Sequence, residues 1–152
     1  MFRHSWLFIV LAGFIPAKAH SELQVYAGRC TPKSHTAEGG IDQDLRERET
    51  QFPCDRAVLN YSDRRHVLIQ FTQHDSPTAN PLGFAVALDP NRTKGTISRV
   101  YLRPGVATPA TKGFCQMIVT GRHLDGLMCV ARVEEGDRAT VAAVFFDLLS
   151  GR

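Results

Sequence analysis

Between Cys54 and the C-terminus the chain breaks into short runs rich in β-branched and aromatic residues, and this rhythm restricts the fold more than any other feature. The runs are Arg56 to Tyr61, His66 to Thr72, Gly83 to Leu88, Thr96 to Arg103, Gly113 to Thr120, Gly126 to Val133 and Ala139 to Phe146. Turn-forming residues stand between them, among them Ser62-Asp63, Asp89-Pro90-Asn91, Arg103-Pro104-Gly105 and Glu135-Gly136-Asp137. Strands at such spacing specify an antiparallel sandwich or barrel, because each needs paired edges and a shared apolar face. Leu23, Val25 and Ala27 alternate with Gln24, Tyr26 and Gly28 and add a first strand. The expectation is therefore a single all-β domain, a small antiparallel barrel or sandwich of about seven to eight strands. The last run also fits helical spacing, through Val141, Val144, Phe145 and Leu148, but its residue types prefer extended backbone.

Alternation also assigns faces. Val67, Ile69 and Phe71 oppose Leu68 and Gln70, while Val100 and Leu102 oppose Arg99, Tyr101 and Arg103, as half-buried strands do. Gly83 to Leu88 is apolar on both faces, with alanines opposite the large residues: either something covers the alanine face, which is the favoured reading, or that face is a shallow floor exposed to a partner. Residues 31–53 differ: they are polar, with Gly39-Gly40 inside, and the mixed-charge run Asp42 to Glu49 has almost no apolar stripe. They read as a mobile excursion from the domain, with at most a turn or two of helix.

Cys115 and Cys129 lie in consecutive strand candidates joined by Gly121-Arg122-His123. A three-residue loop centred on Arg122 sets them opposite each other, within the Cα separation a disulfide tolerates. By exclusion Cys30 pairs with Cys54 and closes the polar excursion. The first bridge pins hairpin register and the second clamps a loop with little core of its own. The absence of Cys-x-x-Cys argues against thiol-disulfide catalysis, and no His or Cys falls at zinc-ligand spacing.

Residues 1–19 read as a secretory signal peptide. Arg3 and His4 form a basic start, Trp6 to Ile15 an apolar run, and Pro16-Ala17-Lys18-Ala19 a break with small residues at −3 and −1. The run is too short to span a bilayer as a helix, and no cysteine follows it closely enough to carry a lipid. The reading is a periplasmic or secreted protein without a membrane anchor, its mature domain covering residues 20–152, in an oxidising compartment suited to disulfides. Asn60-Tyr61-Ser62 and Asn91-Arg92-Thr93 match the glycosylation acceptor pattern, a chance match if the host is bacterial. Cleavage removes Arg3 and Lys18 from 18 basic residues and leaves 16 against 15 acidic ones. The remaining cations are scattered, which argues against nucleic acid as a partner.

Motifs for hydrolases, nucleotide binding and metalloproteases are missing, and no cofactor or metal is expected. His74-Asp75 is the least poor candidate for a general base, if a substrate were held beside it. Arg99, Tyr101 and Arg103 form the best recognition candidate: two guanidiniums flanking a phenol on one strand face can pair with carboxylates or stack on rings. The reading that follows is an exported, non-enzymatic binding or inhibitor module facing a protein or glycan of the envelope or host, using strand faces and loops such as Ser76 to Leu82 and Pro104 to Lys112. The alternatives are a small envelope hydrolase with a dispersed site and a structural envelope subunit.

Overall fold

In the computed structural model, which describes residues 21–75 and 81–149, the domain is an eight-stranded antiparallel barrel with two additions to its wall. The wall runs in the order β1 (Glu22–Cys30), β4 (Arg56–Tyr61), β5 (His66–Thr72), β6 (Leu82–Leu88), β7 (Lys94–Arg103), β9 (Lys112–Thr120), β10 (His123–Glu135) and β11 (Arg138–Leu148), and β11 returns to β1. The additions are the hairpin of β2 (His35–Gly40) and β3 (Glu49–Gln51) against β11, and β8 (Val106–Pro109) against β7. All pairings are antiparallel; β4 to β7 and β9 to β11 pair in chain order, as the short turns between those runs require, whereas β1 with β4, β7 with β9, β11 with β1 and β11 with β2 join strands that are not consecutive. The expected signal peptide and residues 76–80 of the Ser76–Leu82 loop lie outside the described residues. Among those described, no helix is long and apolar enough to cross a membrane.

Inward alternation fills the barrel. Ala57 and Leu59 of β4, Val67, Ile69 and Phe71 of β5, Phe84 and Val86 of β6, Leu127 and Cys129 of β10, and Val144 and Phe146 of β11 are buried together. Phe71 stands at the centre, its ring centroid 6.1 Å from that of Phe84 and 5.8 Å from that of Phe146. Eight strands enclose an interior that side chains can fill, so this barrel is a packed core.

Both disulfides form as expected, Cys30 to Cys54 and Cys115 to Cys129. The route to the second differs from a three-residue loop. Thr120 pairs with His123 across the two-residue turn Gly121-Arg122, with Gly121 at φ 64°. The register then shifts by one residue between Leu124 and Gly126, and that bulge brings Cys115 opposite Cys129. The last run is strand β11, without helix.

The polar excursion is more firmly held than its composition implies. Thr36 to Gly40 pair along β11, and the helical content reduces to one 3-10 turn, Leu45–Arg48, capped by Asp44. Leu45 is buried against Ala37 and Ala139, so one leucine over small residues supplies the missing apolar anchor. On the alanine side of β6 the favoured covered reading gives way to the more open one. Ala85 is half-buried and Ala87 exposed, so the outer face is partly open, while Tyr101 covers Gly83.

Candidate functional site

The wall splits at one end of the barrel, and the split creates a cleft. On one side β1 ends at Cys30 and β2 takes over the edge of β11, which pairs with β1 only from Phe146 to Leu148. On the other, β7 holds β9 only from Lys94 to Thr96, and β8 then occupies its edge. The strands diverge beyond these seams. Between them lies a cleft of about 620 Å³, within the range of roughly 300–1,000 Å³ common for small-ligand sites.

Its two sides differ in chemistry. The β2–β11 side presents Thr36, Glu38 and Thr140, Glu38 being the direct cross-strand neighbour of Thr140, and Thr50 continues this row from β3 opposite Thr36. The facing ledge is apolar, formed by Leu82 and Leu102, and Phe52 just beyond β3 adds a third apolar side chain; each packs into or against the main core. Gln73 and Gln51 add amides, and Arg103 and Glu135 stand at two hairpin ends. Glu38 receives the Arg138 guanidinium at 2.8 and 3.1 Å, which neutralises it at the rim.

The opposite end carries the β6–β7 hairpin, beside a shallower hollow of about 610 Å³ that Asp89, Pro90 and Lys94 help to line. Asp89 Oδ1 accepts the N–H groups of Thr93 and Lys94, the chain reverses with Arg92 at φ 59°, and its guanidinium lies 4.9 Å from the Tyr61 ring centroid. Burial raises the Tyr61 phenol above its ordinary pKa, and Arg92 pulls it the other way.

Of the three recognition candidates, Arg99 and Tyr101 share the outer face of β7, and Arg103 is set apart from them. Arg99 is exposed on the outer face opposite Ala85, and Tyr101 lies half-buried over Gly83. A register shift between Tyr101 and Arg103 carries Arg103 to the Pro104-Gly105 hairpin end, where it lines the cleft. Arg122 sits in the β9–β10 turn at the far end, and Lys112 opposite Arg132. His74 and Asp75 are exposed beyond β5, with the His74 N–H bonded to Asp55 Oδ1 at 2.7 Å, and neither lines the cleft.

A different Asp–His pair was not anticipated from sequence. His66 Nδ1 lies 2.8 Å from Asp63 Oδ2, beside a shallow groove with Ser62, Leu68, Ala85 and Ser98. Asp63 is held below the usual carboxylate range first by the Arg65 backbone N–H and then by the His66 ring. The serines are committed elsewhere: Ser62 Oγ donates to the His66 carbonyl at 3.4 Å and Ser98 Oγ to that of Ala85 at 3.3 Å. The arrangement accounts for a turn, since Asp63 also accepts the His66 N–H.

Among the described residues, no group of three or more His, Cys, Asp or Glu side chains is placed to hold a metal ion. Apart from Arg103 and Leu82, sequence reasoning missed the cleft-lining residues because they come from distant segments, from Thr36 to Thr140, and resemble any surface until the strands meet. Compared with known proteins, the chain matches no family model, no curated protein and no solved structure.

Proposed function

We propose that this protein is an exported, non-catalytic binding module that takes its ligand in the cleft at the open end of the barrel. The observation that carries the reading is the cleft itself, where hydroxyl, amide and carboxylate groups face a ledge of apolar side chains anchored in the core. Binding sites combine an apolar surface with a few fixed polar groups in this way. Two disulfides and the leader-like N-terminus support export to the periplasm or beyond. Inhibition of an enzyme is the special case in which the ligand is the enzyme's own surface.

The test uses the protein purified from the compartment in which it accumulates, with its N-terminus sequenced. Cleavage before His20 is the expected result. Ligand capture from envelope and host extracts is compared with that of Thr140→Arg, which fills the cleft, and of the double variant Arg99→Ala, Tyr101→Ala, which alters the outer face. Capture lost with Thr140→Arg and kept with the double variant supports the cleft. The reverse pattern moves the site to the outer face of β7, and capture unchanged in both retires the cleft.

A further inference from the structure

We infer that the cleft's ligand is a neutral saccharide, an assignment that rests on the binding reading above and gives that ligand a chemical class. A pyranose ring carries hydroxyl groups around its edge and C–H patches on its faces, so it needs hydrogen-bonding side chains and an apolar surface within one ring's reach. The cleft supplies both: Thr36, Thr140 and Gln73 are half-buried polar groups, and Phe52 and Leu102 are half-buried apolar ones. A hydroxyl or amide side chain both donates and accepts, which suits sugar hydroxyls that do the same.

Charge selects against ionic ligands. Glu38 is matched by Arg138, and Arg103 and Glu135 contribute one charge of each sign, so the cleft as a whole favours neither anion nor cation. A polyanion would need clustered guanidinium or ammonium groups. An extended peptide would pair its main chain along a strand edge such as the outer edge of β3. The half-buried polar groups of the cleft, Thr36, Thr140 and Gln73, are side chains instead.

The experiment is a titration of the isotope-labelled protein, followed through its amide resonances, with neutral tetrasaccharides built from glucose, mannose, galactose and N-acetylglucosamine. A polygalacturonate oligomer and an unstructured peptide serve as contrasting probes. The expected result is saturable perturbation of Thr36, Gln73 and Thr140 by at least one neutral sugar, with affinity reduced at least about fivefold in Thr140→Val. That variant keeps side-chain shape and removes one hydroxyl, and unchanged dispersion elsewhere in its spectrum verifies its fold. Silence across the neutral panel overturns the saccharide assignment. If the acidic oligomer or the peptide then perturbs the cleft, or Thr140→Arg still abolishes capture from extracts, the binding module stands with another ligand class. If no probe perturbs the cleft and Thr140→Arg leaves capture intact, the binding reading fails as well.

Discussion

Ser34 and Phe145, 111 residues apart in the chain, make a reciprocal contact: the Ser34 hydroxyl accepts the Phe145 N–H at 2.9 Å and donates to the Phe145 carbonyl at 3.1 Å. The contact sits where the edge of β11 passes from β1 to β2. Ladder pairing lapses there, and a side chain stands in for the missing strand, helped by the Thr31 N–H at 2.7 Å from the same carbonyl. Ser34 is fully buried, so neither group has water to fall back on.

Ser34→Ala should therefore destabilise the protein by about 1–3 kcal/mol, the cost of an unpaired buried backbone group. Ser98→Ala, at an exposed position, should stay within about 0.5 kcal/mol of the parent. Urea unfolding of both variants decides the matter, and equal midpoints would contradict the role given to Ser34.

Each disulfide should contribute about 3 kcal/mol through the unfolded chain, since the bridges close loops of 24 and 14 residues. Paired Cys→Ala variants should separate their local effects in hydrogen exchange. Loss of Cys30–Cys54 should loosen β2 and β3 first, whereas loss of Cys115–Cys129 should raise exchange along β9 and β10 within the wall.

Gly28→Ala should break the seam that closes the barrel. A Cβ there would meet the Asp147 carbonyl and stand 2.5 Å from the Phe146 ring, at the three-residue pairing of β1 with β11. Overpacking of this kind costs about 3 kcal/mol. Gly105→Ala meets nothing within 4 Å and bears only the strain of φ 73°, about 1 kcal/mol. Thermal unfolding of the two variants should rank them in that order, and the reverse ranking would mean the seam yields.

Alkaline pH should weaken the end of the barrel opposite the cleft. The Tyr61 phenol has a raised pKa because burial favours its neutral form, so the folded state holds the proton more tightly than the unfolded one. Its contribution is present in full below the unfolded value of about 10 and is lost as pH rises through the folded value. The unfolding midpoint should fall more steeply above pH 10 in the parent than in Tyr61→Phe; parallel curves would refute this.

Strand β5 was legible because a half-buried strand must alternate, and Val67, Ile69 and Phe71 do so without interruption. The Cys115–Cys129 pair was legible for a similar reason, since two strands joined by a short turn have few registers. The β2–β3 hairpin and β8 were not, because Thr36, Glu38 and Thr50 are polar on a face that lines a cleft, and Val106 to Pro109 follow a Pro-Gly turn that reads as loop. Arg103 was legible as a candidate but not as separate from Arg99 and Tyr101, since the register shift that parts them leaves no mark in alternation.

By itself the sequence determined the class of fold, the inward residues of its strands and the pairing of its cysteines, all of which depend on local period and short-range chain geometry. The tertiary structure decided where the barrel wall opens, that Ser34 fills the gap beside β11, and that Thr36, Phe52, Gln73, Arg103 and Thr140 meet in one cleft. Those outcomes depend on which strands run out of partners first, and that is settled only when all eight compete for edges around one packed core.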